Sequence, residues 1–177
     1  MRLPRAIRLD QSDLQVFSKA CESGEWAIPG TFAFTDLEAE SADNKLRIAF
    51  GSAWLGLESF GFTTLVEVAE IDEADFFRLV EQLARHLVEH YGAPSLPEAL
   101  LAARGELEDA AGLCTQKLGS LLAIEREMTE AGIAERIRIV EPQRAKDHAR
   151  IWTIAAEEDA EEEGAEEEGA EDKSPEG

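Results

Sequence analysis

Two periods of hydrophobic spacing organise this chain. Over residues 72–91, Phe76, Val80, Leu83, Ala84, Leu87 and Tyr91 recur at helical spacing. At about 100° per residue they form one stripe, which predicts an amphipathic helix facing a core. Asp72 stands where an N-cap accepts a first-turn amide, and Ile71 and Phe76 have the spacing of a hydrophobic staple. Tyr91-Gly92-Ala93-Pro94 supplies the glycine and proline of a stop. A second helix is predicted from Ser95, with Ser95 and Glu98 as a capping box around Pro97. Its stripe is Leu100, Ala103, Leu107, Ala111, Cys114 and Leu118.

After the second helix the period changes to alternation. "LLAIEREMTEAGIAERIRIV" (121–140) predicts a hairpin turning around residues 130–133, with paired positions whose numbers sum to 263. That register sets Glu127 against Arg136 and Glu125 against Arg138 on a charged face, and Ile124 against Ile139 on a core face. "TTLVEVAEI" (63–71) alternates as well, and "ARIWTI" (149–154) predicts a last strand. The first thirty-five residues, including "RAIRLD" and "EWAIPGTFAFTD", read as short strands. Turns separate them at Asp10-Gln11-Ser12-Asp13 and Pro29-Gly30. Leu46, Ala49, Phe50 and Ala53 predict a shorter helix over about 44–55. Strands on both sides of a long helix pair predict a two-layer α+β domain over 1–155, an antiparallel sheet with both long helices on one face.

Charge adds a second region. The chain has 177 residues and a net charge of −21, and twelve of its 38 acidic residues follow Ala156 against a single Lys173. The tail "AEEDAEEEGAEEEGAEDKSPEG" (156–177) holds no large apolar residue, so it is predicted to be disordered. The acids elsewhere also outnumber the bases, and no basic run is present to neutralise phosphates, which argues against nucleic-acid binding. The charged opening "MRLPRAIRLDQSD" lacks a signal peptide's apolar core, and no run approaches the roughly 18 apolar residues of a spanning helix. No membrane association and a cytoplasmic location are therefore expected. Cys21 and Cys114 form no C-x-x-C and are expected to be reduced thiols, Cys114 on a buried stripe.

Candidate chemistry is sparse. "HLVEH" (86–90) matches H-x-x-E-H, the spacing by which one class of zinc peptidases places two ligands and a catalytic Glu on one helix. His86 and His90 fall on one edge of the predicted helix, where an i, i+4 pair can share a metal. His148 or a carboxylate would have to complete the site. In those peptidases the motif lies near the start of a longer chain and a downstream Glu completes the site; no such context occurs here. The pair is therefore read as helix surface, with metal binding as the alternative. Gly51, Gly56 and Gly61 lack phosphate-loop spacing and are read as a connection, and no G-x-S-x-G elbow exists. Arg136 and Arg138 are read as a solvated face paired with glutamates, not a basic site. Trp26, Trp54 and Trp152 are read as core rather than pocket walls.

The phrases "GEWAIPGTFAF", "SFGFTTLVEVAEI", "HYGAP", "LLAIERE" and "HARIWTI" resemble those of a small bacterial family known only as a domain of unknown function. The resemblance spans most of residues 1–155 and excludes the acidic tail. It implies an accessory role, since genes of that family tend to lie near those of iron–sulfur or molybdenum redox enzymes and their assembly factors. It implies no catalytic residues. The expectation is a non-catalytic protein with a protein partner and no cofactor. The alternative is a metal-binding protein or metal-dependent enzyme using His86, His90 and His148.

Overall fold

The computed structural model describes residues 1–37 and 42–141. The elements run in chain order as β1 (Arg2–Ala6), α1 (Ser12–Val16), β2 (Ala27–Ile28), a 3-10 helix (Thr31–Phe34), α2 (Asn44–Ser52) and β3 (Trp54–Gly56). There follow β4 (Phe62–Thr63), β5 (Leu65–Glu70), α3 (Glu73–His90), α4 (Leu96–Leu113), β6 (Leu121–Thr129) and β7 (Gly132–Val140). The class is α+β with antiparallel sheets. The predicted strand 149–154, the predicted tail and His148 lie outside the described residues.

Both long helices begin where the sequence places their caps. The Asp72 side chain accepts the Asp75 amide at 2.8 Å, and Ser95 accepts the Glu98 amide while its hydroxyl bonds the Glu98 carboxylate. Helix α3 buries Phe76, Leu79, Val80, Leu83, Ala84 and Leu87, and α4 buries Ala99, Ala103, Leu107 and Ala110 against it. Each buried leucine contributes about 1.5–3 kcal/mol. Helix α4 ends at Leu113, so Cys114 is its C-cap and Leu118, expected on the stripe, is exposed.

The strands form two sheets rather than the single one expected: β1-β5-β6-β7, and a small sheet β2-β3-β4. A bridge between Arg5 and Trp26 brings β1 beside the segment that opens β2. Successive residues of the small sheet face opposite cores. Ile28 and Leu55 join Leu3 and the helix pair, whereas Ala27 and Trp54 join Val66, Val68, Leu122 and Ile124 of the large sheet. The helices α3 and α4 thus cover one side of the small sheet, and the large sheet contributes to the core on its other side.

Three local expectations change. "TFAF", whose alternation resembles a strand, is a 3-10 helix following Gly30, which takes φ 67°. The predicted turn at 10–13 gives way to the start of α1, where Asp13 is buried and accepts bonds from Thr63 and Thr64. Helix α2 stops at Ser52, and the glycine-bearing segment read as a connection contains β3 and its turn into β4.

The β6–β7 hairpin turns in two residues, Glu130 and Ala131, with Gly132 at φ 115° opening β7. Its register is therefore two residues tighter than predicted and pairs Glu125 with Arg136 and Ile124 with Ile137. A slip of two keeps every side chain on its face. Arg136 and Arg138 both bond Glu125, at 2.5 and 3.0 Å, as a charged solvent face requires.

The other face holds a pair that alternation alone would make apolar. Arg126 and Glu135 are opposite one another there, and the Arg126 side chain is 0% exposed. Its guanidinium donates to the carbonyls of Pro29 (2.5 Å), Phe50 (3.1 Å) and Ala53 (2.8 Å), and to Thr31 Oγ1 and Glu135 Oε2. The Phe34 ring lies 5.3 Å away beneath it. Phe50 and Ala53 stand at the C-terminal end of α2, where carbonyls have no partner within the helix. Arg126→Met should cost about 3–5 kcal/mol, because it leaves Glu135 and three carbonyls without their donor. Arg126→Lys should recover little of this, since one ammonium cannot reproduce the planar fork. Urea denaturation of both variants against the parent measures the two losses.

Candidate functional site

The helix edge carrying His86 and His90 meets the turn that joins β3 to β4. Glu58, Ser59 and Phe60 make that turn, and Phe60 takes φ 54°, a left-handed conformation uncommon for a bulky residue. Gly61 follows because nothing larger fits: a Cβ there would lie 2.6 Å from the Ala20 carbonyl carbon.

Two carboxylates, one buried and one partly exposed, hold the turn. Glu25, 8% exposed, accepts the Ser59 amide (2.8 Å) and hydroxyl (3.0 Å) on one oxygen and the Glu22 amide (2.6 Å) on the other. Glu58 accepts the Trp26 amide at 3.1 Å, and its own carbonyl accepts from Gln82 of α3 at 3.3 Å. Burial and the neighbouring Glu25 raise the Glu58 pKa, with Arg78 3.8 Å away as partial compensation.

The turn delivers the Phe60 ring flat against His86, with centroids 3.5 Å apart and 4° between planes. His86 also lies 4.6 Å from the His90 ring and 5.6 Å from Tyr91, and Tyr91 meets Phe32 edge-on at 5.0 Å. The Phe60–His86 stack lines two adjoining depressions. One, of about 370 Å³, is lined by Arg78, Gln82, Arg85 and Glu89; the other, of about 700 Å³, by Lys19, Leu55, Phe62, His90 and Tyr91. Partial burial and the adjacent His90 lower the His86 pKa, favouring the neutral ring.

The remaining predicted sites resolve as follows. His86 and His90 are adjacent, as the i, i+4 spacing requires, and Glu89 Oε2 stands 3.9 Å from His90 Nε2. Among the described residues no group of three or more His, Cys, Asp or Glu side chains is placed to hold a metal ion. Cys21 and Cys114 are free and buried, and burial, with Glu25 adding for Cys21, pushes their thiols up to about 12 and about 11. Trp54 is fully buried, Trp26 packs partly buried on the core, and Trp152 lies outside the described residues. Among the described residues no helix is long and apolar enough to cross a membrane.

Phe60 is the member of this candidate site that no sequence motif marks. Its one signal was local: a bulky residue directly before a glycine in "ESFG", where a turn must reverse between two short strands.

Fold and site together define an α+β domain that carries an aromatic groove beside its long helix pair. The chain belongs to the family described as "Family of unknown function (DUF6505)", whose pattern matches residues 1–159. Neither a curated protein nor a solved structure matches it.

The depressed pKa of His86 sets a pH dependence. Stability from the neutral ring is complete above the unfolded-state value of about 6.5 and is lost as pH falls through the lower folded-state value. Between those two values the parent should lose stability that His86→Phe, which keeps an aromatic ring, does not. Denaturation midpoints of both proteins from pH 7.5 to 5 give the difference.

Proposed function

We propose that this chain is a non-catalytic accessory protein of the cytoplasm that receives a protein partner in the groove around Phe60 and His86. The observation that carries the reading is Phe60 itself, an aromatic residue in left-handed backbone propped by buried Glu25. Such backbone costs about 1–3 kcal/mol, and residues held this way cluster at binding and catalytic sites. Rigid aromatic anchors in partly desolvated depressions dominate recognition at protein interfaces. The most buried polar groups are committed inside the fold. Arg126, Glu25 and Asp13 are engaged by internal partners, and both thiols are held protonated at neutral pH.

The resemblance to a family whose genes accompany redox metalloenzymes makes such an enzyme, or its assembly factor, the first partner to try. Affinity purification from the native source should return a reproducible partner with the parent chain. Phe60→Ala should lose at least about tenfold of it, the loss of a 1.4 kcal/mol anchor. An unchanged yield from a folded Phe60→Ala variant, or no partner with the parent, removes the reading.

One observation favours a second reading, a metal site: the two imidazoles stand 4.6 Å apart on one helix edge. Zinc takes four ligands, so His148 or a carboxylate would have to join them. On this reading the untagged protein, purified without chelator, carries near-stoichiometric metal by elemental mass spectrometry. His86→Ala with His90→Ala should then abolish the metal while leaving the circular dichroism unchanged.

A further inference from the structure

Among the described residues β7 is the outer strand of the large sheet, so one side of its nine-residue backbone has no ladder partner there. Its two faces differ in chemistry. Ile133, Ile137 and Ile139 lie on one, beside Met128 of β6, and Ile139 and Met128 are each about half exposed. Arg136 and Arg138 lie on the other, with side chains 77% and 58% exposed. On that face β7 itself carries two arginines and no acid, in a chain of net charge −21. The compensating acids are one strand further in: both arginines bond Glu125 of β6, and Glu127 of β6 also favours the Arg136 charge. A strand added outside β7 would lie about 4.8 Å from it and about twice that from β6, so it would meet the arginines first.

We propose that β7 is a docking edge for an extended segment of a partner protein in which acidic side chains alternate with aliphatic or aromatic ones. Main-chain bonds to the edge that has no ladder partner among the described residues supply affinity, and the alternation supplies specificity. Acidic positions fall opposite Arg136 and Arg138, and apolar positions fall opposite Ile137 and Ile139. This surface is separate from the Phe60 groove, and neither depends on the other.

Two other occupants fit the edge poorly. A second copy in the fully overlapping antiparallel register sets Arg136 against its own counterpart, and a slip of one position on each strand toward the C-terminal end sets Arg136 against Arg138. Like charges directly opposite are destabilising. Within the sequence after residue 141, "ARIWTI" has an arginine and no acid, and residues 156–177 have acids and no large apolar residue. No stretch there alternates the two.

The test is hydrogen–deuterium exchange of the full chain with two synthetic nine-residue peptides, one alternating Glu and Val and the other Lys and Val, followed by titration. The Glu–Val peptide should slow exchange across β7 and bind about tenfold more tightly than the Lys–Val peptide. Arg136→Glu with Arg138→Glu should reverse that preference. Absence of any peptide effect overturns the proposal and leaves the arginines as guards against edge pairing. Equal binding of both peptides also overturns it. So does protection, in the free chain, of those β7 amides that do not bond β6, whether it grows with protein concentration, as a second copy would make it, or stays constant, as the chain's own residues would. Should the double variant fail to fold, the contrast between the two peptides on the parent chain still decides.

Discussion

Arg126 reaches from β6 into three other parts of the chain at once: the link after β2 through Pro29 and Thr31, the end of α2 through Phe50 and Ala53, and β7 through Glu135. A guanidinium taken out of water is tolerated only where its donors are satisfied, so these segments must converge for the domain to form. Burial lowers the Arg126 pKa while Glu135 opposes that shift. The consequence is geometric. Five donors in one plane fix the directions from which the carbonyls approach, and with them the position of the small sheet against the large one.

The same logic, with the sign reversed, builds the candidate site. At Arg126 a buried cation gathers backbone carbonyls; at the β3–β4 turn a buried carboxylate, Glu25, gathers backbone amides. Apolar packing would hold either region only loosely, because short strands such as β2 and β4 contribute two residues each. Directional bonds to buried charges replace the ladder that those strands are too short to provide. Phe60 inherits its fixed place from that arrangement, and His86 meets it because α3 is docked through Gln82 on the same turn.

What could be read from the sequence follows the reach of each interaction. The starts of α3 and α4 were legible because a cap, a staple and a stripe all lie within one helix. The faces of the hairpin were legible because alternation survives a slip of two residues, while its register was not, since turn length depends on Gly132 and the backbone around it. The division into two sheets depends on bridges such as Arg5 to Trp26, about twenty residues apart, which no local period records. Arg126 did leave a trace: it interrupts Leu122, Ile124 and Met128 on the apolar face, with Glu135 doing the same on the facing strand. Within the site, the histidine pair was visible as a motif. Its stacking partner, 26 positions earlier, was not.

Both thiols lie inside the fold with ionisation pushed far above neutrality. A thiol with a pKa of about 12 is about one part in 10⁵ thiolate at pH 7, and the thiolate is the species that attacks peroxides and disulfides and binds soft metals. Cys21 and Cys114 are therefore held as buried, protonated thiols while the domain stays folded. Oxidation would reach the exposed thioethers of Met1 and Met128 before either buried thiol.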